Sequence, residues 1–187
     1  METISLSGGF QDAPRDAAHA FRAAMTVMAR PGTIHDIGGA VPPAPLSVAA
    51  GAAILTLCDP ETPIYLAGEF DVAAVRDWIT FQTGAPFVPA ADAMFAVGHW
   101  ADMTALAQFA IGTPEYPDRS ATLIVEMSEL SAAGATLSGP GIKETTQFSL
   151  PETDAFQANA ALFPLGLDFI FTAGAQIAAL PRTTQVR

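Results

Sequence analysis

Three short segments of this chain place cationic or hydroxyl side chains beside glycine turns, and each could hold an oxyanion. Arg22, Arg30 and Thr33 surround the stretch Met28-Ala29-Arg30-Pro31-Gly32-Thr33-Ile34. A guanidinium grips phosphate-like oxygens in a planar two-point fashion, and a glycine turn exposes backbone N–H groups. Pro181-Arg182-Thr183-Thr184 follows an apolar strand, and open α/β sheets collect ligands beyond strand C-termini. Ser138-Gly139-Pro140-Gly141-Ile142-Lys143 supplies glycines for an anion-cradling nest with a lysine nearby. Each segment also has a plainer use. Arg22 is a solvated helix residue, Arg30 offsets a helix C-terminal dipole, Arg182 solubilises a chain end, and Gly-Pro-Gly forms a turn. Asp168 lies within Leu165-Gly166-Leu167-Asp168-Phe169-Ile170-Phe171. An acid among apolar residues must pair, hydrogen-bond or titrate abnormally. The expectation is an ion pair with Arg182, with a general base as the alternative.

The motifs of self-sufficient enzymes fail one by one. Gly134 and Gly139 have P-loop spacing, but Pro140 stands where the lysine must be. No Gly-x-Gly-x-x-Gly links a strand to a helix, and no Gly-x-Ser-x-Gly elbow exists. His19, His35 and His99 are scattered without metal-ligand spacing. The single cysteine, Cys58, cannot hold an iron–sulfur cluster, which usually takes four. Lys143 is the only lysine, so any pyridoxal phosphate Schiff base would have to use it. No metal and no cofactor is expected.

The elements that must position these residues alternate between helix and strand. Asp12 is placed to cap a helix with Pro14 in its tolerant first turn. Ala17, Phe21, Met25 and Met28 fall on one face of it. Pro31 and Gly32 end the helix near Ala29. A short strand is expected over Ile34–Ile37. A second helix is expected near Ser47, yielding to the apolar run Ala53–Cys58. Asp59-Pro60-Glu61-Thr62-Pro63 is a turn, and Ile64–Ala67 is β-prone. Asp71–Phe81 repeats the helical pattern through Val72, Val75, Trp78 and Ile79. A strand at Met94–Val97 and a helix at Ala101–Ile111 come next. Ala121–Met127 and Ala135–Ser138 are strands, while Leu167–Thr172 and Gln176–Leu180 pair around Ala173-Gly174-Ala175. Crossovers mixed with hairpins give the expected fold class, an α/β protein with a mixed β-sheet flanked by helices.

Bulk properties bound the function. The 187 residues suit a single domain, 1–187. A net charge of −11 repels a polyanion, so no nucleic-acid partner is expected. No apolar stretch approaches the ~20 residues that span a bilayer, so no membrane partner is expected either. Residues 1–3 show no basic start to a secretion signal, and one cysteine excludes an internal disulfide framework. Both point to the cytoplasm. Half the residues are hydrophobic and 14% are charged, a surplus that suits an interface in a permanent assembly.

Four segments in this order carry a family resemblance: Phe21-Arg22-x-x-Met25-x-x-Met28-Ala29-Arg30-Pro31-Gly32, Leu137 to Ile142, Phe163 to Asp168, and Leu180-Pro181-Arg182-Thr183-Thr184. From about residue 10 to its end the chain resembles the H-subunit family of the bacterial carbon–phosphorus lyase system, PhnH. The resemblance implies a fold like the large domain of pyridoxal-phosphate-dependent aspartate aminotransferases without the cofactor site. It implies a homodimer that joins the G, I and J subunits in phosphonate catabolism. The complex transfers ribose triphosphate from ATP to methylphosphonate, displacing adenine. Later radical cleavage belongs to the J subunit, with S-adenosylmethionine and an iron–sulfur cluster. The family supplies no catalytic residue to carry over. The expected role is assembly, and the alternative is a direct phosphate- or phosphonate-binding contribution through Arg22, Arg30, Thr33, Asp168, Arg182, Thr183 and Thr184.

Overall fold

The computed structural model describes residues 6–187, so residues 1–3, discussed above for secretion, lie outside the described part. Its centre is a six-stranded mixed sheet. Chain order gives β1 (His35–Asp36), β2 (Ile64–Leu66), β3 (Phe95–His99), β4 (Thr122–Glu126), β7 (Asp168–Ala173) and β8 (Gln176–Leu180). In space the order is β1-β8-β7-β4-β3-β2. The four strands β2, β3, β4 and β7 are parallel. The hairpin to β8, and β1 beyond it, add an antiparallel edge. That hairpin has a two-residue loop whose first position, Gly174, has φ 57°. A positive φ at the first central residue alone is the pattern of a type II′ turn, which matches strand twist.

Side chains alternate across the sheet and divide the core in two. Ile64, Leu66, Val97, Ile124, Ile170 and Ile177 point to one face. There they meet the helices α1 (Ala13–Ala29), α2 (Val48–Leu57) and α3 (Ala73–Thr83). Ala96, Leu123, Val125, Phe169, Phe171 and Leu180 point to the other. That face is covered by α4 (Trp100–Met103), α5 (Asp154–Ala160) and a small antiparallel sheet. The small sheet comprises β5 (Ala135–Ser138), β6 (Thr146–Phe148) and β9 (Gln185–Val186), in the order β6-β5-β9. Phe156 stacks edge-on to Phe169 at 4.9 Å and lies over Trp100 at 4.7 Å, an aromatic seam between α5 and the sheet.

Several sequence expectations are corrected here. The apolar run Ala53–Cys58 does not break the second helix, because α2 continues through Leu57. A helix buried on every side shows no periodicity to distinguish it from a buried strand. Its start is as read, with the Ser47 hydroxyl accepting the Ala50 N–H at 3.1 Å. The helix expected over Ala101–Ile111 is only the single turn α4 and a 3-10 turn at Leu106–Gln108. Residues 109–111 are pulled straight instead. Ala110 accepts from Ala121 N–H, Ile111 accepts from Gly166 N–H, and Ile111 bridges Ser120. Tertiary pairing overrides helix propensity there.

Helix α1 has the expected bounds but turns a different face inward. Its buried residues are Ala20, Ala24 and Val27, while Phe21 and Met25 are each about half exposed. Small side chains let α1 approach α2 and β8 closely, which leaves the bulkier stripe outside. The Asp12 side chain makes no cap; instead Asp12 N–H donates to the Asp16 carboxylate at 3.1 Å. No described helix is long and apolar enough to cross a membrane.

Candidate functional site

Arg182 follows β8, and β8 runs antiparallel to β7. Its end therefore lies at the N-terminal edge of the parallel strands, not at the C-terminal edge where open sheets collect ligands. There the guanidinium is enclosed, with 12% of its side chain exposed. It donates to both carboxylate oxygens of Asp168, to the Pro117 carbonyl at 2.7 Å and to the Ser120 hydroxyl. The Arg182 backbone N–H donates to Asp168 Oδ1 at 2.8 Å as well. The Asp168–Arg182 ion pair expected from sequence is present. It clamps the loop before β4 to the start of β7 and the chain after β8.

Neither neighbouring threonine hydroxyl shares a hydrogen bond with that guanidinium. Thr184 is buried, and its hydroxyl has no hydrogen-bond partner among the described residues. Thr183 turns its carbonyl toward Gly139, where an added Cβ would stand 3.1 Å away. This closeness follows from pairing of Ser138 with Gln185 between β5 and β9. Gly141, at φ 83°, lies so close to the Ala29 carbonyl at the end of α1 that any Cβ would collide with it. The four segments that carried the resemblance are thus one contiguous junction, although the sequence spreads them over more than 150 residues.

At this junction Thr33 and Lys143 line a cleft of about 370 Å³ together with Pro31, Gly141, Ile142, Glu144, Thr145 and Thr146. The Thr33 hydroxyl donates to the Arg30 carbonyl at 2.7 Å and keeps its lone pairs for a further donor. Lys143 is exposed. Arg22 and Arg30 are exposed on α1 and its cap, and neither they nor Arg182 lines this cleft. The three arginines do not converge there.

A second constellation, missed in the sequence, lies at the C-terminal edge of the parallel strands. His99, Glu126 and Thr172 sit side by side across β3, β4 and β7. His99 Nδ1 lies 3.1 Å from the Glu126 carbonyl and Nε2 lies 2.9 Å from Glu69 Oε1. A carbonyl only accepts, and an ionised carboxylate only accepts, so the pair of contacts favours the imidazolium, the form in which both ring nitrogens donate. Burial alone would lower the His99 pKa, but the Glu126 carbonyl and the Glu69 carboxylate outweigh it and hold the pKa above its ordinary value. The Glu126 side chain is itself buried, which pushes its pKa up against hydrogen bonds from Ser47 and Thr172. Thr172 donates to Glu126 Oε2 at 3.0 Å. Ser47 caps α2, so Glu126 occupies the start of that helix.

This arrangement ties β3, β4, β7, α2 and the 3-10 turn Gly68–Phe70 together. Its carboxylates repel anions. Among the described residues no group of three or more His, Cys, Asp or Glu side chains is placed to hold a metal ion. The available signal in the sequence was a polar residue ending each of two adjacent buried strands, His99 and Glu126.

Residues 8–187 match the family described as "Bacterial phosphonate metabolism protein (PhnH)". A relative in Rhizobium meliloti (strain 1021), named alpha-D-ribose 1-methylphosphonate 5-triphosphate synthase subunit PhnH, is 41% identical over 96% of this chain and 94% of its own length. The putative C-P lyase subunit protein HtxG of Stutzerimonas stutzeri is 29% identical over 93% of this chain and 87% of its own. The chain belongs to the PhnH family.

Proposed function

We propose that this chain is a subunit of an alpha-D-ribose 1-methylphosphonate 5-triphosphate synthase in phosphonate catabolism, and that it serves assembly rather than bond-making. The proposal takes the synthase from the Rhizobium relative's name. The observation that carries the assembly role is Arg182, the cation best placed by sequence for an anion. Its donors are bound within the fold by Asp168, Pro117 and Ser120. Catalysis by electrostatic stabilisation needs donors aimed at a reacting group, and these are aimed at the protein itself. On this reading the chain is one cytoplasmic domain that forms a homodimer and joins the G, I and J subunits. Its fold is that of an aminotransferase large domain without the cofactor, in keeping with a lone Lys143 on an exposed loop.

A second reading draws on the Thr33–Lys143 cleft. Two segments more than 100 residues apart in sequence supply it with threonine hydroxyls and the chain's one lysine, beside the Glu144 carboxylate. A phosphate or phosphonate group fits a lysine and flanking hydroxyls. One experiment separates the readings. The synthase complex is purified with Thr33→Val and Lys143→Ala together in this chain. Wild-type stoichiometry with wild-type transferase activity supports the assembly role. Wild-type stoichiometry with activity lost establishes the anion site instead.

A further inference from the structure

A largely apolar cleft lies between residues 104–111 and α5, beside the Phe163–Asp168 arm of the motif junction. It encloses about 490 Å³, and Leu106, Phe109, Ile111, Ala155, Ala158 and Leu162 are among its wall residues. Leu162 is 45% exposed, and Phe163 beside it is 59% exposed. Ala155 and Ala158 on α5 and Leu162 in the turn just after it recur at spacings of three and four and form one apolar face along the groove. Its two alanines leave room for another chain to come close to the backbone.

A small-molecule site needs polar groups that converge to orient the ligand, and this groove lacks them. Asn159 is its most polar lining residue, yet both ends of its amide are engaged. Its Nδ2 donates to the Leu167 carbonyl at 2.9 Å, and its Oδ1 accepts from Leu167 N–H at 2.8 Å. Only the Thr104 hydroxyl is left to direct a ligand. An apolar groove with one polar handle suits the apolar stripe of another polypeptide.

Charge narrows the occupant. Residues 100–113 and 151–167 contain Asp102, Asp154 and Glu152 and no lysine or arginine. Asp154 is exposed beside groove residue Ala155, and Asp102 is exposed two residues before Thr104 with its carboxylate turned toward Gly68. Glu152 accepts the Trp100 indole N–H. Arg119, the cation across the Ile111–Ser120 bridge, is stacked on the Tyr116 ring at 4.0 Å. A second copy seated on this groove by two-fold symmetry would bring each Asp154 toward its counterpart. A partner with basic residues flanking an apolar stripe gains from the same rim.

We infer that the groove between residues 104–111 and α5 is the docking site for an apolar segment, flanked by lysine or arginine, of another synthase subunit. This rests on the assembly role proposed above. The test is co-expression with the remaining subunits, followed by affinity purification through one of them and quantitation of this chain. Ala158 is exposed, so Ala158→Arg closes the groove without disturbing the core. Ala74→Arg, on an exposed position of α3, is the control. The expected result is wild-type recovery of the control and at least a tenfold loss of Ala158→Arg, with unchanged circular dichroism and melting temperature for both. Asp102→Asn with Asp154→Asn, a milder change, is expected to weaken recovery several-fold at low salt and less at high salt. Wild-type recovery of Ala158→Arg overturns the docking site and leaves the assembly role standing. Failure of the wild-type chain to co-purify overturns the assembly role itself. A shift of the isolated chain from dimer to monomer on Ala158→Arg assigns the groove to a second copy and overturns the heterologous partner.

Discussion

Asp168, the first residue of β7, holds Arg182 twice, accepting its backbone N–H at 2.8 Å and pairing with its guanidinium through both carboxylate oxygens. The two side chains are 17% and 12% exposed, so water screens them little. Removing one partner of such a pair leaves a charge without compensation, which typically costs 3–5 kcal/mol. Arg182→Ala should lower unfolding free energy by about 3 kcal/mol, read from urea denaturation. The double variant Asp168→Leu with Arg182→Leu should lose less than the sum of the single changes. Additive losses would show that the pair does not act as a unit.

Gly141 and Gly38 provide a matched contrast. At Gly141 φ is 83° and a Cβ would collide with the Ala29 carbonyl, whereas nothing lies within 4 Å of a Cβ at Gly38. Gly141→Ala should destabilise by at least ~1 kcal/mol, and Gly38→Ala should be neutral or stabilising by a few tenths. Equal urea midpoints for the two variants would remove the case that the turn is wedged against α1.

Much of the fold was legible because its signals are local. The end of α1 before Pro31-Gly32, the hairpin at Gly174 and the Ser47 cap each depend on residues within a few positions. What failed depends on distant partners. Residues 109–111 are extended because Ala121 and Gly166 hydrogen-bond to them. The face of α1 is chosen by small residues that permit close packing, not by the largest apolar stripe. The edge at which Arg182 lies depended on β7 running parallel to β4, a distant pairing that no local pattern contains. The Asp168 pairing could be expected because a carboxylate amid apolar residues requires compensation wherever it lies. The His99–Glu69 contact could not, since it joins residues thirty positions apart.

His99 makes stability depend on pH in a definite sense. Its folded pKa is raised above 6.5, so its contribution is full below the unfolded pKa and is lost as pH rises through the folded value. Glu126, also raised from 4.5, has the same sign at lower pH, its neutral form being favoured by the fold. The His99 side chain is 42% exposed and Glu69 more so, so solvent screens the pair and the effect is modest. The urea midpoint of the wild type should fall between about pH 6 and pH 8, and His99→Gln should flatten that fall. A wild-type midpoint that rises over this interval would contradict a cationic His99 in the fold.

Phe21 and Met25 are half exposed on α1, one turn apart, above a recess of about 160 Å³. A side chain half in water contributes about half of what full burial would, or ~1 kcal/mol each. Phe21→Ser with Met25→Ser should therefore lower unfolding free energy by about 2 kcal/mol while lowering the binding of a hydrophobic dye to the native chain. A loss above ~4 kcal/mol would mean that both side chains pack fully against the core.

Cys58, which caps α2, reports on opening of the helical layer. It is 7% exposed, and burial pushes its thiol up to about 12, against a hydrogen bond from Thr62. The thiolate is the reacting species, so a native thiol is protected both by access and by protonation. Modification by an aromatic disulfide reagent at neutral pH should proceed only through opening, at rates that rise with urea in parallel with unfolding. Because Cys58 is the only cysteine, the signal is unambiguous. Arg182→Ala, which acts at the N-terminal edge of the parallel strands, should accelerate the reaction only as far as it lowers global stability. A larger acceleration would place the Asp168 clamp and α2 in one unit that opens before the rest of the chain.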